Sequence, residues 1–168
     1  MRSCQILSRT SAFCPAAVWY LVIWRFSAQS ADVSGALSSR LLYRLLEALS
    51  GVFQEQSEEG QRAIVLFLSF FVRKAAHMFL YFILTGLLLL ALYRLPCGFS
   101  LKVGFALGLC GILAAVDEIH QRFVPGRSGE LRDVAVDLTG GAIFLLLCWL
   151  VRCIRLAHRG SGRDGPGL

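Results

Sequence analysis

Within the 21 residues from Asp117 to Asp137 the chain places five carboxylates, three arginines, a histidine and a glutamine. Apolar runs flank this stretch, Val103 to Val116 before it and Leu138 to Val151 after it. Ionisable groups at or near membrane depth are costly, so a cluster set between two such runs is read by default as a functional site. Asp117 and Gln121 are four apart and Glu118 and Gln121 three apart, which lets two acceptors and an amide face one way on a helix. Pro125-Gly126 turns the chain, and Arg127 then brings a planar fork suited to two-point contact with carboxylate or phosphate. Asp133 and Asp137 are again four apart. A second set lies earlier: Arg73, His77 and Tyr81 share one helical face at i, i+4 and i+8, with Lys74 beside them and Thr85 continuing it.

Three kinds of chemistry fit these residues. In the first, a charge network clamps the outer ends of the helices, each buried group satisfying another. In the second, Arg73, Lys74, His77, Tyr81, Asp117, Glu118, Gln121, Arg127, Asp133 and Asp137 hold a polar or anionic head group. In the third, His77, Asp117 and Glu118 act as acid–base catalysts. Metal hydrolysis is not expected, because Glu118-Ile119-His120 is not the HExxH pattern and no cysteines form a CxxC pair. Gly126-Arg127-Ser128-Gly129 is not a GxSxG nucleophile elbow, so Ser128 reads as a turn residue. Nothing in the chain calls for a cofactor.

The elements that must carry these groups are membrane helices. Of the 168 residues 56% are hydrophobic and only 17% charged, against about 25% in ordinary soluble chains. The net charge of +6 sits mainly at the two ends, which argues against nucleic acid and for membrane orientation. Four spans are expected, at about 10–28, 62–94, 101–118 and 133–151, in one membrane domain covering 1–151. The first has Arg25 near its end, which can snorkel to the interface; a signal peptide ending near Ala28-Gln29-Ser30 is its rival. Leu37, Leu41, Leu42, Leu45, Leu49, Val52 and Phe53 recur at helical spacing opposite Arg40, Arg44, Glu47 and Gln54, predicting an amphipathic helix over about 36–54. It is expected to lie along the membrane surface or on the bundle. Arg73 and Lys74 divide the second span, leaving Ala63 to Val72 too short to cross and therefore a tilted or interfacial lead-in. Gly104, Gly108 and Gly111 are expected to allow close helix contact in the third. Residues 152–168 read as a basic, disordered cytoplasmic tail.

Orientation follows from the basic flanks. With both termini inside, the inner segments hold Arg2, Arg9, Arg94, Lys102, Arg152, Arg155, Arg159 and Arg163, and ten of the eleven acids fall outside. Both polar sets and the amphipathic helix would then be extracytoplasmic.

These motifs resemble a known family. Arg73-Lys74-x-x-His77-x-x-x-Tyr81 is similar to the second-helix signature of the VanZ-like family, and Asp117-Glu118-x-x-Gln121-x-Phe123-x-Pro125-Gly126-Arg127 to the signature closing its third helix. Asp133-x-x-x-Asp137-x-x-Gly140 resembles the opening of its fourth, where relatives carry Asn or Asp at the second position. Phe26-Ser27-x-Gln29-Ser30 resembles a feature after the first helix. The resemblance implies a multi-pass protein of the bacterial cytoplasmic membrane. The family's namesake is associated with low-level resistance to the glycopeptide teicoplanin. By this resemblance the expected partners are the lipid bilayer and a lipid-linked cell-wall precursor or lipophilic glycopeptide. The expected role is binding of such a molecule, with an enzyme acting on it or a structural partner as alternatives.

Overall fold

The structure, a computed structural model, describes residues 10–161. The flank carrying Arg2 and Arg9 and the tail beyond Ser161, including Arg163 and Asp164, lie outside the described residues. Among those described the chain is helical, with no strand. A 3-10 turn, Ser11–Phe13, leads into α1, Cys14–Ser27; α2, Ala31–Leu49, α3, Gly51–Gln54, α4, Glu58–Leu92, α5, Phe99–Gln121, and α6, Leu131–Ser161, follow. Three of these, α4, α5 and α6, are long and apolar enough to cross a membrane. The 14 residues of α1 cover about 21 Å, less than the ~30 Å of a hydrocarbon core.

Local chemistry explains where the helix ends differ from expectation. Before α4, Ser57 accepts a hydrogen bond from the Gly60 amide, and Glu58 and Glu59 favour the positive end of the helix, so it starts ahead of 62. Pro96 disfavours helical backbone at the residue before it, and α4 gives way to a short connection. Helix α5 runs past Glu118 to Gln121, because no breaker intervenes before Pro125-Gly126, where Gly126 takes φ +75. The amphipathic segment begins at Ala31 behind a Ser30 cap and breaks at Ser50, whose extended backbone and side chain cap α3.

The expectation of disorder from residue 152 is corrected. Helix α6 continues to Ser161, since Arg152 to His158 holds good helix formers and no Gly or Pro. The Arg152 guanidinium also lies 4.7 Å from the centre of the Phe99 ring, a cation–π contact that ties this extension to α5.

The core joins α1, α4, α5 and α6 through Ile23, Tyr81, Leu84, Leu88, Leu92 and Leu145 packed on the small Ala106, Cys110 and Ala114 of α5. Of the glycines expected at this contact, Gly111 meets α6, where a Cβ would lie 3.3 Å from Leu138, while a Cβ at Gly104 or Gly108 would meet open space. The reason is rotational, since Ala106, Cys110 and Ala114 repeat every four residues on the inward face. The tightest crossing is between α4 and α6, where a Cβ at Gly140 would collide with the Met78 backbone. Near the middle of α4 and α5, helix α1 is anchored by two side chains. The Trp19 indole donates to the Leu80 carbonyl at 2.9 Å and the Tyr20 hydroxyl to the Leu113 carbonyl at 3.0 Å. Helix α2 lies on α4, with the Tyr43 hydroxyl donating to Gln61 Oε1 at 2.9 Å, and turns Leu37, Leu41, Leu45 and Leu49 outward.

Candidate functional site

The end of α5 builds a closed polar network. Asp117 is fully buried, and its Oδ2 accepts from the Ser27 hydroxyl at 2.6 Å and from Gln121 Nε2 at 3.0 Å. The i, i+4 spacing of Asp117 and Gln121 therefore brings them together as expected. Arg127 extends the network with three separate donors: Nη1 to Gln121 Oε1 at 3.1 Å, Nε to the Gln29 carbonyl at 2.9 Å, and Nη2 to the Phe26 carbonyl at 3.3 Å. Those two carbonyls lie where α1 ends, and the Ala31 amide donates to the Pro125 carbonyl beside them. Burial draws the Arg127 guanidinium below its ordinary pKa, and the Asp117 carboxylate opposes that shift. Glu118 turns the other way, its Oε2 accepting from the Glu130 amide at 3.1 Å and fixing the loop that precedes α6. Beneath this loop His120 stacks on Trp24 with ring centres 3.9 Å apart.

A second arrangement links α4 to α6. Lys74 pairs with Asp133, and His77 Nδ1 lies 3.6 Å from Asp137 Oδ1, beyond hydrogen-bond length. Asp137 is 1% exposed, and neither of its oxygens has a hydrogen-bond partner among the described residues. Lys74 takes the Asp133 carboxylate, because α4 lies against the first turn of α6, while Arg127 makes its hydrogen bonds toward the end of α1.

The two arrangements enclose a pocket of about 410 Å³. Arg73, Lys74 and His77 line it from α4, Gln121 and Arg127 from the α5 end, and Asp133 and Asp137 from α6. Phe26, Phe70, Phe79 and Leu80 supply apolar wall, and Ser34 of α2 touches its rim. Arg73 is half-buried there and makes no hydrogen bond or ion pair among the described residues. Three of the expected site residues do not line the pocket. Asp117 and Glu118 are buried in the network behind it, and Tyr81 is sealed in the core with its hydroxyl lacking a partner among the described residues. Tyr81 lies one further turn along α4 from His77, where it packs in the core cluster with Leu84, Ala106 and Cys110.

Sequence reasoning gave Ser27 no role beyond a family feature, although it is fully buried and makes the shortest hydrogen bond to Asp117. Its signal was weak because a serine at a helix end usually reads as a cap. Thr85 was placed only as a continuation of the Arg73 face; its hydroxyl donates to the Tyr81 carbonyl at 2.9 Å, beside Gly141 of α6.

No curated protein and no solved structure matches the chain. A family model described as VanZ/LLP1 matches residues 12–152, from the turn before α1 to the last apolar turns of α6. That match takes in every motif that builds the pocket, and the chain belongs to the VanZ/LLP1 family.

Proposed function

We propose that this chain binds an amphiphilic molecule of the bacterial envelope, lipid-linked or itself lipophilic, by an anionic head group in the α4–α6 pocket. The observation that carries the reading is the charge balance of the pocket. Lys74 is matched by Asp133 and His77 by Asp137, while Arg73 and Arg127 have no carboxylate partner there. The open Arg73 guanidinium, with the positive charge of Arg127 nearby and aromatic and aliphatic wall beside it, suits an anion carried on an apolar body. The protein sits in this reading in the cytoplasmic membrane with four passes and both termini inside. Two features support the number of passes: α1 is anchored to mid-helix carbonyls of α4 and α5, and Lys74 to Leu92 of α4 spans about 27 Å, near a hydrocarbon thickness; the basic flanks support the orientation. Holding such a molecule is how the protein would alter susceptibility to teicoplanin-type glycopeptides.

One observation favours an enzyme acting on the same molecule: His77 faces the pocket with the buried Asp137 behind it, the arrangement of a base and its orienting carboxylate. Asp117 and Glu118 fit that role less well, since neither lines the pocket. Mass spectrometry of lipids and wall precursors from membranes with and without the protein separates the two. A binder leaves their chemistry unchanged and co-purifies with one of them; an enzyme leaves an altered molecule. Purified protein that retains no envelope amphiphile, with unchanged membrane chemistry and glycopeptide susceptibility, would leave only a bracing role.

A further inference from the structure

A second cavity lies at the other end of the bundle, lined by residues of α4 and α6. It measures about 550 Å³ and runs from Phe82 and Phe144 along Leu147 and Val151 to Arg152 and Arg155. From Phe144 to Leu156 the groove follows α6 for about 18 Å, close to the ~15 Å of one leaflet's hydrocarbon. Its upper wall is apolar and aromatic, with Phe82 and Phe144 in edge contact at 5.0 Å.

The mouth of the groove is basic among the described residues. Arg152 and Arg155 line it, Lys102 lies against Tyr93 of the same lining, and no acid occurs between Glu59 and Asp117 or between Asp137 and Arg159. Two of these cations are held in place by aromatic and backbone groups. Lys102 Nζ donates to the Tyr93 carbonyl at 3.2 Å and lies 5.1 Å from the Tyr93 ring centre, as Arg152 lies over Phe99. Arg155 is exposed and makes no ion pair among the described residues.

We infer that this groove is a site for one anionic phospholipid, its acyl chain along Phe144 and Leu147 and its phosphate on Arg152 and Arg155. Charge decides the class of lipid. A zwitterionic head group brings a cation that meets Lys102, Arg152 and Arg155 and no carboxylate among the described residues of the lining, whereas a net negative one meets attraction. A second copy of the chain in the same orientation would bring another basic end, not the acidic one. The site is separate from the polar pocket and does not depend on what that pocket binds.

The test uses the full chain, purified in detergent and stripped of lipid, in an Arg73→Gln background that removes the polar pocket's contribution. Native mass spectrometry counts retained dioleoyl-phosphatidylglycerol and dioleoyl-phosphatidylcholine. A basic side chain near an anionic head group strengthens binding about fivefold, so phosphatidylglycerol should be favoured about 25-fold. Arg152→Gln with Arg155→Gln should abolish that preference, and Arg152→Lys with Arg155→Lys should keep most of it. Leu147→Trp, which fills the groove and leaves the cations intact, should lose phosphatidylglycerol as well. Equal retention of the two lipids, or a preference untouched by the paired glutamines, overturns the inference. So does release by soluble glycerol phosphate, which would mark a site for free anions with no acyl component.

Discussion

The two arginines of the polar pocket share a cavity and little else. Arg127 spends its Nε, Nη1 and Nη2 on Gln29, Gln121 and Phe26, so its fork ties the end of α1 to the loop after α5. Arg73 stands on the wall that α4 presents, with no hydrogen bond or ion pair among the described residues. One guanidinium is already answered by the protein; the other is open to a ligand. Residue type alone does not divide bracing from binding here. The division lies in where the acceptors are, and α1 brings its terminal carbonyls to one arginine only.

The braced wall should break hardest at its centre. Asp117→Ala removes the acceptor of both the Ser27 hydroxyl and the Gln121 amide, leaving two buried donors unsatisfied at about 1–3 kcal/mol each. A loss of about 2–6 kcal/mol is expected, read as a lowered unfolding temperature in detergent and poorer accumulation in the membrane. Asp117→Asn keeps one oxygen for both donors and should cost only about 1 kcal/mol. An alanine variant as stable as the parent would mean that α1 is held by its apolar packing alone.

Arg127→Lys comes next. If charge alone braced this wall, lysine would preserve it. The fork is instead used on three neutral oxygens in three directions, which a single ammonium cannot reach together. Losing two such bonds at about 0.5–1.5 kcal/mol each predicts destabilisation by about 1–3 kcal/mol. Unchanged thermal stability of this variant would dissolve the contrast between the two arginines.

How far the sequence carried these conclusions depended on the kind of signal. Long apolar runs bounded by Pro96, Gly98 and Pro125-Gly126 made α4, α5 and α6 legible, and the amphipathic repeat did the same for α2. The i, i+4 pair of Asp117 and Gln121 was legible because a helix fixes that geometry locally. Partnerships across helices were not. That Lys74 meets Asp133 and Arg127 meets Gln29 depends on the rotation and offset of packed helices, set by contacts such as Gly140 against Met78. Tyr81 shows the same limit. Its spacing put it on the face of Arg73 and His77, but burial in the core took it out of the pocket. Small-residue spacing alone does not say which face points inward, so Gly111 faces α6 while Gly104 and Gly108 do not, and Ala106, Cys110 and Ala114 carry the core contact.

The smallest effect on stability is expected at Arg73, and it sharpens the comparison most. With no protein partner to lose, Arg73→Gln leaves no buried group unsatisfied, and its glutamine stem still covers the neighbouring apolar wall. Substitutions away from packed or bonded features usually change stability by less than about 0.5 kcal/mol, so accumulation and unfolding temperature should match the parent. Recognition is a different matter. A charge-assisted hydrogen bond contributes about 1.5–3 kcal/mol, so losing it should weaken retention of an anionic amphiphile by about 10- to 150-fold. Arg73→Lys keeps the charge without the fork and should fall between the two. Lipid retention on the purified protein and glycopeptide susceptibility of cells expressing each variant are the measurements. A glutamine variant that is destabilised as much as Arg127→Lys would place Arg73 among the braces; one that keeps both stability and retention would remove it from the site.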